Sequence, residues 1–185
     1  MKSSTSNDTE EKTISLETNL VGNYNFENVM AAICVGSFFK VPAGKIKAAI
    51  NSYLPSNSRS QAMKTAHNSI ILDAYNANPT SMQVAIENFR QVKASKKMVI
   101  LGDMLELGDE SLTEHLTIVN LVDKSAFDKI ILVGPDFKKI AEERFVCFTT
   151  SDEARDWLLK QQLKNYTILV KGSRGIKMEK VLEAL

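Results

Sequence analysis

The chain has little of what marks secreted, membrane-spanning or nucleic-acid-binding proteins. Only two cysteines occur in 185 residues, Cys34 and Cys147, far apart and in apolar surroundings. They exclude a disulfide scaffold or a cysteine metal knuckle, and read as small buried residues of a reduced compartment. No charge of one sign prevails: 23 Lys and Arg face 22 Asp and Glu, a formal +1. That is too little for a phosphate-backbone groove or an anionic membrane surface as main partner. No apolar run approaches the ~20 residues a membrane helix needs, and the first residues lack the apolar core of a secretory signal. The Gly-x-x-x-x-Gly-Lys-Ser/Thr phosphate loop is missing, as are internal repeats and heptad runs. These absences predict a cytoplasmic chain with no nucleic-acid or membrane partner and, lacking any sign of an obligate interface, a monomer.

What is present is ordinary in amount, with 44% hydrophobic and 24% charged residues, and suits one domain plus an appendage. Residues 1–12 are polar and predicted to be disordered. Thr13 to Val21 alternates apolar and polar residues (Ile14, Leu16, Leu20), which predicts a strand ending at Gly22. Asn25 to Phe39 has helical spacing, with Phe26, Val29, Met30, Ile33 and Phe38 on one face. A second helix is predicted from Ala43 to Tyr53, with Ile46, Ala49 and Ile50 inward. The turn-rich stretch Leu54 to Gln61 is the best boundary in the chain, separating a unit of residues 13–55 from one of 56–185.

Beyond it the pattern is regular. Strand-like runs at 69–73, 97–101, 129–133 and 166–170 are separated by helical stretches at 79–94, 110–125, 136–143 and 151–162, with a last helix over 176–185. Runs such as Met98-Val99-Ile100-Leu101 and Ile130-Ile131-Leu132-Val133 are apolar throughout, as strands covered on both faces must be. The alternation predicts a doubly wound α/β fold with a mostly parallel sheet.

In such folds ligands gather beyond the carboxyl ends of the strands. The first run ends in Asp73-Ala74-Tyr75-Asn76-Ala77-Asn78-Pro79, too polar for a plain connection, although an Asn helix cap before Pro is its simplest structural reading. The second ends in Gly102-Asp103-Met104-Leu105-Glu106-Leu107-Gly108-Asp109, the third in the short Gly134-Pro135-Asp136. The fourth ends in Lys171-Gly172-Ser173-Arg174-Gly175, whose cations, hydroxyl and turn amides suit a carboxylate or phosphate; it also reads as a basic surface loop. Lone His67 and His115 are read as structural.

Taken together, Leu20-Val21-Gly22-Asn23-Tyr24-Asn25-Phe26-Glu27-Asn28-Val29-Met30-Ala31-Ala32, Asp73 to Met82, Leu101 to Gly108 and Val170 to Gly175 resemble the ATP-dependent Mur ligases of peptidoglycan synthesis, in the branch that attaches D-Ala-D-Ala. The resemblance covers residues 14–185. It implies the end of a central ATPase domain, a short helical remnant, followed by a complete carboxy-terminal Rossmann-like domain. It also implies ATP and Mg2+ for the full-length enzyme, whose phosphate loop and Mg2+ ligands have no counterpart here, so the chain alone is expected to be a catalytically silent piece of a ligase. The implied partners are UDP-MurNAc-tripeptide, D-Ala-D-Ala and the missing central and amino-terminal domains.

Residue by residue, the resemblance implies that Asn25, Asn28, Arg59 and Asp73 bind ATP: Asn28 at adenine, Asn25 as its companion, Arg59 from the linker, Asp73 at the ribose hydroxyls. Tyr24 stands where the family commonly has His, and Ser58 where it usually has Gly. Asn25 and Asn28 also read as helix caps, and Arg59 as a solvated cation. Asn76 and Asn78 are implied to orient the dipeptide or the nucleotide, and Lys171, Ser173 and Arg174 to hold the dipeptide carboxylate. Asp103 and Glu106 either hold its ammonium group or cap the next helix. No metal ligand and no general base is identified. The alternatives are a non-catalytic nucleotide- or peptide-binding module and an amide ligase of the folylpolyglutamate synthetase type, against which the Asn76 to Pro79 and Gly102 to Gly108 segments argue.

Overall fold

In the computed structural model, which describes residues 13–20, 22, 25–55 and 58–185, a six-stranded sheet carries helices on both faces. The elements are helices α1 (Asn25–Phe38) and α2 (Ala43–Ser52), strands β1 (Gln61–Lys64) and β2 (Ser69–Asp73), α3 (Pro79–Gln91), β3 (Lys97–Gly102), α4 (Ser111–Asp123), β4 (Lys129–Val133), α5 (Pro135–Ile140), β5 (Val146–Phe148), α6 (Ser151–Leu158) and β6 (Thr167–Lys171). Strand order is β1-β2-β6-β3-β4-β5, with β1 antiparallel to β2 and every other pairing parallel. The predicted α/β class and mostly parallel sheet are what the structure has.

Handedness explains the layering. The connections from β2 to β3, β4 and β5 all run the same way across the sheet, so right-handed crossovers put α3, α4 and α5 on one face. The return from β5 to β6 runs the other way and puts α6 on the opposite face. Each strand accordingly splits its side chains between two cores. Val99, Leu101, Leu132 and Leu169 pack with Met82, Ile86, Phe89, Ile118, Val122 and Phe137. Met98, Ile100, Ile131, Val133, Ile168 and Val170 pack with Ala154, Leu158, Met178 and Val181. Period-2 alternation therefore exists in these strands, hidden because both faces are apolar.

Three expectations change. Among the described residues, 13–20 form no strand; instead of pairing with a β-neighbour they lie along α2, where Glu17 N–H donates to Asn51 Oδ1 at 3.2 Å and Asn19 Nδ2 to the Asn51 carbonyl at 2.9 Å. The closing helix over 176–185 is not α-helical but two 3-10 segments, Arg174–Ile176 and Met178–Ala184, split by Lys177 at φ 57°. Met178 and Val181, buried three residues apart, fit three residues per turn. Finally, β1 and β5 are added to the predicted strands. The tail of residues 1–12 and Tyr24 lie outside the described residues.

The helical unit is less well covered than the sheet. Asn25 and Val29 of α1 and Ile50 of α2 are buried, but Phe26, Met30 and Phe38, which helical spacing places on one apolar face, are exposed. Among the described residues no helix is long and apolar enough to cross a membrane.

Candidate functional site

Because β2, β6 and β3 are parallel neighbours, their carboxyl ends lie side by side, and the chain leaves β2 and β6 toward opposite faces. That divergence opens a crevice at the rim. The three polar corners are stitched together there by Ser173. Its hydroxyl donates to the Ala77 carbonyl at 3.3 Å and accepts from Leu105 N–H at 2.9 Å, while its own N–H donates to the Asp103 carbonyl at 3.1 Å.

At the first corner, Asp73 ends β2 and accepts at both carboxylate oxygens. Lys171 Nζ donates to Oδ2 at 2.6 Å and Ser60 N–H to Oδ1 at 3.2 Å. Lys171 also donates to the Asn76 carbonyl at 3.2 Å and is 1% exposed. An ammonium so buried needs its carboxylate, and the pair sets the first corner against the fourth. Asn78 caps α3: Oδ1 accepts from Ser81 N–H at 2.8 Å, Ser81 Oγ accepts from Asn78 N–H at 3.1 Å, and Pro79 occupies the first helical position. The simple cap reading thus holds for Asn78, and Asn78 still lines the cleft.

That cleft, of about 420 Å³, lies between the helical unit and the sheet rim. Its lining includes Asn25 and Asn28 from α1, Arg59 from the linker, Asp73, Asn76 and Asn78 from the segment after β2, and Lys171 from β6. All four residues expected at a nucleotide therefore come from three separate segments to one opening. Asn28 Nδ2 donates to Asn25 Oδ1 at 3.0 Å, which fixes both amides at the start of α1.

The fourth corner divides. Lys171 and Ser173, expected to meet a substrate carboxylate, are buried and bonded within the rim, whereas Arg174 is exposed. Its guanidinium carbon lies 5.4 Å from the Tyr75 ring centroid, and that of Arg59 lies 3.9 Å from the same centroid. Tyr75 was not among the expected site residues. Only three-dimensional convergence brings positions 59, 75 and 174 together, and no spacing rule reports it.

The second corner turns inward. Asp103 is fully buried, and its carboxylate accepts N–H bonds from Asp136 at 2.8 Å and Phe137 at 2.9 Å, capping α5. The ammonium-holding alternative is therefore corrected: Asp103 is a helix cap, and the helix is α5 rather than the next one in sequence. Gly134, at φ 130°, makes this possible, since a Cβ there would overlap the Asp103 carboxylate. Glu106 is exposed on the loop at φ 68°.

His115 completes the inward corner, buried as expected of a structural histidine. Nδ1 lies 2.7 Å from the Ser111 carbonyl and so carries a proton. Nε2 lies 3.0 Å from the Met104 amide nitrogen and 3.4 Å from Asp103 Oδ1. Unprotonated, it accepts from Met104; protonated, it donates to Asp103. Burial works against the imidazolium, but bonds to Asp103 and Ser111 and the charges of Asp103 and Asp136 outweigh it and raise the His115 pKa. Bonds from Lys139 and the Ser111 hydroxyl hold the Asp136 carboxyl below its ordinary value.

Asp103, His115 and Asp136 are the one grouping of three potential metal donors among the described residues. They do not fit Mg2+. Both Asp103 oxygens already serve α5 amides, imidazole is a poor magnesium ligand, and Asp136 is taken by Lys139 at 2.8 Å and Ser111 at 2.8 Å.

A doubly wound sheet with acidic, amide and basic side chains gathered at one carboxyl rim, and a cleft shared with a preceding helical unit, defines a nucleotide-fold class of protein. Comparison with known proteins narrows it. Residues 58–174 match the family model described as Mur ligase, glutamate ligase domain, and the chain belongs to that family. It is 32% identical over 176 residues to the UDP-N-acetylmuramoyl-tripeptide--D-alanyl-D-alanine ligase of Bacillus subtilis (strain 168), covering 90% of this chain and 38% of that protein. Against the enzyme of the same name from Escherichia coli (strain K12) the identity is 31% over 171 residues, again covering 90% of this chain and 38% of the relative. A crystal structure of MurF from Acinetobacter baumannii superposes with a TM-score of 0.79 at 27% identity, over 91% of this chain and 39% of that one. The chain thus spans less than two fifths of the length of the curated relatives it matches.

Proposed function

We propose that this chain is the carboxy-terminal part of an ATP-dependent amide ligase that joins D-Ala-D-Ala to a UDP-MurNAc-tripeptide. Residues 13–55 form the end of its central domain and residues 56–185 its carboxy-terminal domain. The observation that carries the reading is the arrival of Asn25, Asn28, Arg59 and Asp73 at one cleft. The D-Ala-D-Ala named in both relatives favours that acceptor over a folate-type substrate.

In the complete reaction a tripeptide carboxylate oxygen takes the γ-phosphoryl group of ATP, and ADP leaves. The free amine of D-Ala-D-Ala then attacks the acyl carbon; the carbon–oxygen bond to phosphate breaks, phosphate leaves with the electron pair, and the amine nitrogen loses a proton. This chain supplies binding and orientation. The Asn28 amide presents a donor and an acceptor to one adenine edge, Asp73 accepts from ribose hydroxyls, Arg59 meets phosphate, Asn76 and Asn78 orient reactants, and Arg174 meets the dipeptide carboxylate. Lys171 and Ser173 hold the rim beneath them, and Glu106 stands at its exposed edge. Closing the cleft against the rest of the enzyme keeps water from the acyl phosphate. The phosphate cradle and magnesium ligands belong to the remainder of the enzyme.

Two measurements test the reading. Titrating the 15N-labelled chain with ATP is expected to shift the amides of Asn28, Arg59 and Asp73; shifts confined elsewhere, or none, would sink it. Mixing the chain with ATP, UDP-MurNAc-tripeptide and D-Ala-D-Ala is expected to release no phosphate, and release would show that the chain carries a whole active site.

A further inference from the structure

Tyr75 has no part in either core, yet the backbone on each side of it is hydrogen-bonded. Ala74 N–H donates to the Ser58 carbonyl at 2.8 Å, and the Asn76 carbonyl accepts from buried Lys171 at 3.2 Å. Ala74 and Ala77 are 3% and 2% exposed. The ring itself projects outward, 38% exposed, at the mouth of the cleft. Arg59 arrives from the linker at 3.9 Å and Arg174 from beyond β6 at 5.4 Å, both within cation–π range of this ring. Among the described residues neither guanidinium forms an ion pair with a carboxylate.

Long, exposed cations without a counter-ion sample many rotamers, and each must be ordered before it can hold an anion. One fixed ring shared by two of them removes that disorder at both positions. We propose that Tyr75 is a positioning residue that sets two anion-binding arginines at once, Arg59 toward a phosphate group and Arg174 toward a peptide carboxylate. The inference rests on the ligase reading and deepens it by coupling the two ligand ends through one aromatic side chain. Since the ring sits outside the core, its replacement leaves the fold intact.

The test is binding of ATP and of D-Ala-D-Ala, titrated separately into the 15N-labelled chain, with adenosine as the phosphate-free control. Tyr75→Leu is expected to weaken both ATP and D-Ala-D-Ala about three- to tenfold, to leave adenosine binding and the melting temperature unchanged, and to be rescued to within about twofold by Tyr75→Phe, which keeps the ring face. Arg59→Ala is expected to weaken ATP alone, and Arg174→Ala the dipeptide alone. If Tyr75→Leu binds both ligands as the parent does, or loses only one, the positioning role is overturned while the ligase reading stands. If the parent chain binds neither ligand, the ligase reading fails and the Tyr75 role falls with it.

Discussion

Asp73 and Asp103 occupy equivalent places, one at the carboxyl end of β2 and the other just past β3, and they have opposite fates. Asp73 keeps part of its carboxylate at the wall of an open cleft, counter-charged from below by Lys171. Asp103 is sealed, with amide N–H groups on both oxygens and His115 against it. The difference lies in the chain packed beyond each strand end. After Asp73 the backbone runs through exposed Tyr75 and Asn76 before α3 begins; opposite Asp103, Gly134 lets the first turn of α5 close directly onto the carboxylate. Equal charge at equal topology thus yields a cleft-lining group in one case and a structural cap in the other.

The sharpest way to break this contrast is Asp103→Ala. It strands two amides at the start of α5, one buried and one part-buried, and is expected to cost about 3–5 kcal/mol of unfolding free energy in urea titrations, since each unsatisfied buried group costs about 1–3 kcal/mol. A loss under about 1 kcal/mol would show the corner to be less closed than described. Lys171→Met should cost less, about 2–3 kcal/mol, because the Asp73 it abandons is partly hydrated and not fully stranded. It should weaken ATP binding as well, whereas Asp103→Ala acts through stability alone. Asn78→Ala removes a helix cap and is expected to cost about 1 kcal/mol; a neutral result would mean that water takes over the orphan Ser81 amide.

The smallest effect expected is on pH. A histidine whose folded pKa is raised stabilises the fold fully below its unfolded value, and that contribution disappears as pH rises through the folded value. Stability should therefore decline from about pH 6.5 upward. His115→Gln should flatten that decline, and an unchanged slope in urea titrations across this range would remove His115 as its source.

Much of the fold was legible because its signals were local and long. The four central strands were found as continuous apolar runs. Lost were β1, whose Gln61-Ala62-Met63-Lys64 is short and follows directly on a turn-rich stretch, and β5, whose three residues are too few to show a period. The strand expected over 13–21 failed for the opposite reason: its alternation was real, but a strand also needs a neighbour, and none is present among the described residues. At the site, strand-end chemistry marked both corners but left Asp103 open between holding an ammonium group and capping a helix. Whether Asp103 faces solvent depends on Gly134 and α5, more than 30 residues away.

The central place of β6 has a consequence for how the protein is made. Residues 167–171 come after every other strand of this sheet in the chain, yet they lie between β2 and β3. Until they emerge from the ribosome, the inner edges of those two strands have no partner, and the nascent chain carries a gap in the middle of its sheet. Such unpaired edges invite association with other chains. A premature stop codon a few residues before Thr167 would therefore leave two half-sheets with nothing to join them.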